Sequence, residues 1–372
     1  MKKLVSLLST FLIVLTVMCN INIFASAAVS VTTVSKSHLK TVFSVPNYRY
    51  DTALCTNIGG ISVGTANNRL FVVKSNSTTE RRSTLYYYNN IYNEAFKTGT
   101  KKPKRIVFTD FILGHANAMA IDDRNVYVTA WGKKDGTDTN ALVQISRKAV
   151  TYLDDGDVVS LTNKTVKDGD GNIINVYNVY EPEFEDGTPY TGHIHAITRY
   201  SYDKTNNITK FIINYSYSTD RKTLKYTIAT LKNGRFTVST SPDDMFTVQN
   251  PKANVTMQDI FYDSSYGMLI PVWNSGTSNY VLCVDIRGLK TQGKTSPLVL
   301  EPYKILGISR TSDDTDTLTK YEMESIALVK KNADKESAPF RLVFSCNKAD
   351  AEGVGCDAIE EVTPLSTYLT KL

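Results

Sequence analysis

Apolar and polar positions alternate in short runs through most of the chain, and the runs recur around one order of events. In GHANAMAIDDRNVYVTAW, Gly114 to Trp131, two polar side chains, His115 and Asn117, precede a short apolar run. A turn at Asp122 to Asn125 and the alternating strand Val126, Tyr127, Val128, Thr129 follow. This pattern predicts a β-hairpin whose first strand opens at a polar position. MQDIFYDSSYGMLIPVW, Met257 to Trp273, repeats the order, and aligning Asn117 with Asp259 brings both units to a tryptophan fourteen positions later, Trp131 and Trp273. Weaker copies start at Gly60, His195 and Glu324. The steps between these five positions are 57, 78, 64 and 65 residues, so one supersecondary unit is being repeated.

Such a unit cannot bury both faces of its small sheet alone, and the repeats must pack on one another. Strands throughout, with little helical periodicity, predict an all-β fold, a β-propeller of five blades. Six is the alternative if residues 151–190 supply a further unit. The residues Ile121-Asp122-Asp123 with Asn125-Val126-Tyr127-Val128-Thr129 resemble the hairpin of secreted β-propellers of the NHL and gluconolactonase-like kind. Phe261-Tyr262-Asp263 with Met268-Leu269-Ile270-Pro271 do so less closely. The resemblance covers about a third of the chain and implies architecture alone, because unrelated activities use this fold.

Lys2 and Lys3 precede an uncharged apolar segment, Leu4 to about Met18, and Ala25-Ser26-Ala27 supply small residues for cleavage. This predicts a signal peptide over 1–27 and one propeller domain over 28–372, irregular near 151–190. A retained anchor is the alternative reading, but the apolar run is short for a bilayer and no stop-transfer cluster follows. The protein is therefore expected to be secreted or held at the cell surface, with no integral membrane segment after cleavage. Forty-two basic against 37 acidic residues give a formal net charge of +5 without a strong basic block, which argues against nucleic acid as a partner. The local cluster Lys101, Lys102, Lys104 and Arg105 reads as a solvated loop or as an attraction to an anionic surface. After export, Cys55, Cys283, Cys346 and Cys356 allow three pairings. Cys346 with Cys356 is the favoured disulfide, since the two bracket a polar loop in the last repeat.

In a propeller the first strand of each unit lines the central channel. The register then brings Asn117, His195, Asp259 and Glu324, with Gly60, around one axis. Ile58, His115, His193, Met257 and Glu322 form the preceding set on the same face, and His193 and His195, two apart on a strand, face one side. These groups either fill a wet tunnel or make a polar pocket at the channel mouth.

A binding pocket would use His115, Asn117, His193, His195, Glu322, Trp131 and Trp273 to recognise an extracellular glycan or protein, although the tryptophans also suit packing between blades. A hydrolase acting on an extracellular carbohydrate or ester would use Asp259 and Glu324 as base and acid. Its alternative is a divalent metal, calcium on Asp259, Glu322 and Glu324 with backbone oxygens or a transition metal on the imidazoles and carboxylates. Binding ranks above hydrolysis, and whether the protein is an enzyme stays open. A second calcium candidate is DGDGN, with Asp168, Asp170 and Asn172 at positions one, three and five. Ile173 and Val179 fall where an EF-hand needs glycine and glutamate, so a plain turn or a calcium site of another geometry is expected.

Overall fold

Aspartates at the ends of apolar runs set the hairpins. Asp122 Oδ1 accepts the amides of Arg124 and Asn125, both at 2.7 Å. Asp203 Oδ1 does the same for Thr205 and Asn206 at 2.9 and 3.1 Å, and Asp263 Oδ1 for Ser265 and Tyr266 at 2.9 and 3.0 Å. An aspartate that satisfies the turn amides two and three residues on stops one strand and reverses the chain into the next. Ile121 accordingly pairs with Val126, and Asp263 with Met268.

The computed structural model describes residues 29–64, 68–76, 82–134, 137–217, 223–249, 255–275, 278–290, 292–309, 318–330, 340–350 and 355–369. The expected signal segment 1–27 lies outside the described residues. Val31–Leu372 forms one unit. No helix among the described residues is long and apolar enough to cross a membrane.

The first sheet joins Asn57–Gly64, Arg69–Ser75, Ser83–Tyr88 and Lys104–Phe108, with Val158–Val159 added in parallel outside. The second joins Met119–Ile121, Asn125–Lys134, Thr137–Ser146 and Tyr177–Tyr180. Ala196–Asp203, Ile208–Tyr217, Thr223–Lys232 and Arg235–Val238 make the third. Pro182–Phe184 lies beyond them, and Phe246–Gln249 and Leu298–Leu300 are attached at the side. The fourth runs Thr256–Asp263, Met268–Ser275, Ser278–Asp285 and Lys304–Ser309, with Val31–Thr33 parallel at its rim. The fifth runs Lys320–Lys330, Phe340–Ala349, Ala358–Val362 and, antiparallel to the last of these, Leu39–Ser44. The opening strands pack first on second, second on third, third on fourth, fourth on fifth and fifth on first. This cyclic order of antiparallel sheets is an all-β propeller.

The expectation of five repeated blades, or six with the insertion counted, is corrected as a description of this ring. The sheets hold four, four, five, five and seven strands, so they are not copies of one unit. Residues 151–190 build no sheet about the axis. Their strands are shared out as outer strands of the first, second and third sheets, and Thr165–Lys167 with Ile173–Asn175 form a separate hairpin.

Apolar faces of neighbouring sheets fill the space between them. Ile270, Val272, Val281 and Leu306 of the fourth sheet meet Leu328, Leu342 and Phe344 of the fifth. Phe71, Val73 and Ile106 of the first meet Val126, Val128 and Val143 of the second. Removing any of these side chains would cost about 2–5 kcal/mol through lost burial and the cavity left behind.

Candidate functional site

The openings of the innermost strands hold groups that are turned into the protein. Asp259 is fully buried. The strand bulges between Met257 and Asp259, as the fifth sheet's opening strand does between Met323 and Ser325. A bulge re-aims the next side chain, and here both turn toward the axis. The Ser325 hydroxyl donates to Asp259 Oδ2, while Ser325 Oγ accepts the Ile61 amide at 3.0 Å, so three sheets meet at one hydroxyl. Asp259 Oδ1 has no hydrogen-bond partner among the described residues. Burial drives this carboxyl well above the ordinary aspartate range, opposed by Ser325 and the amides of Ile260 and Ile326. Gly60 donates its amide to the Ala116 carbonyl at 2.9 Å. An added Cβ at Gly59 would stand 2.6 Å from that carbonyl oxygen, which is why glycine occupies this close approach.

Glu322 and Glu324 lie nearby in sequence but face a different neighbourhood. Glu322 pairs with Lys320 at 2.8 Å. The Asn347 side-chain amide lies 3.3 Å from Glu324 Oε1 and 3.0 Å from Asn57 Oδ1. Glu324 keeps some surface exposure, yet burial first and the Glu322 charge second push its carboxyl up to about 8. His193 and His195 are close, with ring centroids 5.9 Å apart. Burial and the neighbouring His193 charge hold the His195 imidazole down to about 4. His115 and Asn117 are half-buried at the opening of the second sheet. Among the described residues, no group of three or more His, Cys, Asp or Glu side chains is arranged to hold a metal ion.

Trp273 is 1% exposed, pairs with Met257 and Tyr280 across its neighbours, and belongs to the interior. Trp131 pairs in the backbone with Asn140, and its side chain lies outside the described residues. In the DGDGN turn, Asp168 accepts the amides of Asp170 and Asn172 and pairs with Lys148 at 2.9 Å, so its oxygens serve the turn and a lysine.

The expected Cys346–Cys356 disulfide is corrected, because the described cysteines, Cys55, Cys283, Cys346 and Cys356, form no disulfide. Cys346 stands opposite Ala358, whereas the Cys356 amide bonds the Lys348 carbonyl at 2.9 Å. The two cysteines are diagonal neighbours, roughly 7–8 Å apart in a regular ladder, which is wider than a disulfide spans.

A charged network that the sequence did not signal ties the fifth sheet to the first. Lys74 pairs with Asp357 at 2.7 Å with both side chains buried, and Lys348 pairs with Glu360 at 2.7 Å. Tyr321 donates to Glu360 Oε2 at 2.8 Å and Thr41 to its Oε1 at 3.2 Å. Lys74 also reaches the Val45 carbonyl and Asn47 Oδ1. Burial lowers the Lys74 ammonium from its usual value, and Asp357 opposes that.

The open space lies at the other, exit end of the innermost strands. A cavity of about 680 Å³ is lined by residues from all five sheets, including Ser62, Ile121, Arg199, Tyr200, Tyr262 and Lys330. Tyr200 and Tyr262 are tilted against one another with centroids 5.2 Å apart. Tyr202, also in the wall, carries the Arg124 guanidinium 4.9 Å from its ring centroid. Hydroxyls of Ser201, Ser264 and Ser265 complete a wall that mixes aromatic faces with small polar groups. None of the residues singled out from the sequence as site candidates is in this lining. Tyr262 and Asp263 sat in the very hairpin motif that repeated, and the aromatic spacing Tyr200, Tyr202 was the signal available.

No protein-family model and no curated protein sequence matches the chain. Among solved structures it is similar to the tail fibre of Staphylococcus aureus phage P68, at 16% identity over 89% of this chain and 53% of that one, with a TM-score of 0.45. The chain thus spans about half the length of that fibre. It is also similar to the periplasmic gluconolactonase of Pseudomonas aeruginosa, at 12% identity over 82% and 85% of the two chains with a TM-score of 0.33. A further likeness is the Dos1 propeller, at 11% identity over 82% and 57% with a TM-score of 0.28. At these values the fold assignment rests on the sheet order and cyclic packing of the chain itself, which make it an all-β propeller.

Proposed function

We propose that the chain is an extracellular glycan-binding propeller whose ligand occupies the exit-end cavity. The observation that carries this reading is the lining itself, with Tyr200, Tyr202 and Tyr262 beside Ser62, Ser201, Ser264, Ser265 and Arg199. Sugar rings present apolar CH faces and a fringe of hydroxyls, and such a wall offers an aromatic face for the first and hydrogen-bonding groups for the second. A concave space of about 680 Å³ suits a few sugar units better than the broad flat contact of a protein partner. The leader-like residues 1–27 support placing it outside the cell.

Carboxylate hydrolysis through Asp259 and Glu324 has less support. Asp259 is sealed from solvent, and neither group lines the cavity. Calorimetric titration with neutral oligosaccharides tests the binding reading. Tyr200→Ala and Tyr262→Ala should each weaken binding at least about tenfold, while Tyr152→Ala on the outer surface should leave it unchanged. Equal affinities in all variants would defeat this placement of the ligand.

A further inference from the structure

Beside the cavity, where the first sheet meets the second, two arginines outside its lining, Arg69 and Arg147, lie near enough for their charges to repel. Arg147 comes to the side of Gly64, whose added Cβ would stand 3.3 Å from Arg147 Nη2, and Gly64 pairs across its hairpin with Arg69. The neighbouring residues Ser62, Val63, Asn68 and Ile121 all line the cavity. Arg147 Nη1 donates to the Asp122 carbonyl at 2.5 Å, but its Nε is buried with no partner among the described residues. The Asp122 carboxylate is already engaged by the amides of Arg124 and Asn125 and by the Tyr127 hydroxyl at 2.7 Å. Asp123, the other acid near Arg147, is exposed. The Arg69 side chain makes no hydrogen bond or ion pair among the described residues, and the Arg199 side chain inside the cavity makes none either.

This arrangement costs free energy as it stands. A buried guanidinium donor without an acceptor loses its hydration without compensation. Burial and the Arg69 charge both disfavour the Arg147 cation, and Asp123 and Asp122 only partly oppose them. Structures usually set a carboxylate in such a place. An anionic ligand group would offer the orphaned Nε an acceptor, offset the repulsion between the two charges and use the planar fork that arginine offers to carboxylates and phosphates.

We propose that the glycan taken by the cavity is anionic, and that its carboxylate or phosphate group docks on Arg69 and Arg147, with Arg199 facing the same ligand from the cavity wall. This rests on the glycan reading and adds the charge class of the substrate. Lys330 is the remaining basic group in the lining, and Asp263 is the acidic one, its Oδ1 engaged by its own turn.

The test is calorimetric titration of the full chain with three probes: a neutral galactose oligosaccharide, a galacturonate oligosaccharide and a phosphate-substituted mannose oligosaccharide. At least one anionic probe should bind at least about tenfold tighter than the neutral one. That preference should shrink as salt is raised from about 0.05 to about 0.5 M. Arg147→Gln and Arg69→Gln should each remove most of the preference without changing neutral-probe affinity, and Arg287→Gln, outside the site, should do neither. Arg69→Gln keeps the test sound if Arg147→Gln perturbs folding, since Arg69 anchors nothing else. Which anionic probe wins distinguishes carboxylate from phosphate. Equal binding of all three probes, or a preference untouched by both arginine variants, overturns the anion site and leaves the glycan reading standing. Failure of every probe to bind overturns both.

Discussion

The Ser325 hydroxyl, carried by the fifth sheet, donates to the carboxyl of Asp259 on the fourth while accepting the amide of Ile61 on the first. Ser325→Ala would leave the Ile61 amide and the Asp259 oxygen buried without this partner. A loss of about 1–3 kcal/mol is expected, read as a lower denaturation midpoint in urea with an unchanged slope. A variant as stable as the parent would show that the hydroxyl contributes nothing at the axis.

Asp259 also sets a pH dependence. Its folded-state affinity for a proton is raised, so between the ordinary value of 3.8 and its elevated value the folded state holds a proton that the unfolded state has released. Stability from this group is therefore present at low pH and is lost as pH rises through that window. Asp259→Asn, which cannot ionise, should flatten the decline. Unfolding curves of parent and variant that stay parallel across pH would contradict this.

Glu324 acts in the same direction over a bounded range. With an ordinary value of 4.5 and a folded value of about 8, its contribution falls as pH climbs between these limits. The difference in unfolding free energy between Glu324→Gln and the parent should grow in favour of the variant across that interval and be level outside it.

His195 runs the opposite way. Its imidazole is held down to about 4 against an ordinary 6.5, so it destabilises the fold as pH drops from 6.5 toward 4 and is silent above. Ring proton shifts followed by NMR should show His195 neutral at pH 6. A midpoint near 6.5 would mean that the ring is solvated.

The buried Lys74–Asp357 pair yields a prediction of a different kind. Lys74→Met strands a buried carboxylate and should cost about 3–5 kcal/mol, whereas the double change Lys74→Met with Asp357→Leu should recover most of it. Reversible chemical unfolding of the three proteins measures this. Equal losses in the single and double variants would show that the cost is packing and not charge.

What could be read from the sequence was what is local in it. The aspartate that ends one strand and caps the turn into the next is written within four residues, and the pairings Ile121 with Val126 and Asp263 with Met268 follow from it. The all-β fold was legible for that reason. The cavity was not, because most of the fifth-sheet residues that line it, Ile326 to Val329, form an apolar run indistinguishable from core until the ring places its end at a mouth. Polar residues at strand openings read as a site, yet Asp259 is wholly enclosed, and only the bulged register decides that. The pairing of Lys74 with Asp357 needs the first sheet set against the fifth, which no local pattern encodes.

Among the described residues, the strand Leu39–Ser44 finds its ladder only against Ala358–Val362, on residues made at the far side of the sequence. Until that late segment has been synthesised, the early strand has no edge to lie on and its amides stay in water. The ring is in this sense fastened by its last arrival. A ribosome-bound or truncated chain lacking residues beyond 357 should show hydrogen exchange not only where the cut was made but also at Leu39–Ser44. Damage at one margin of the sequence would then be felt first at the other.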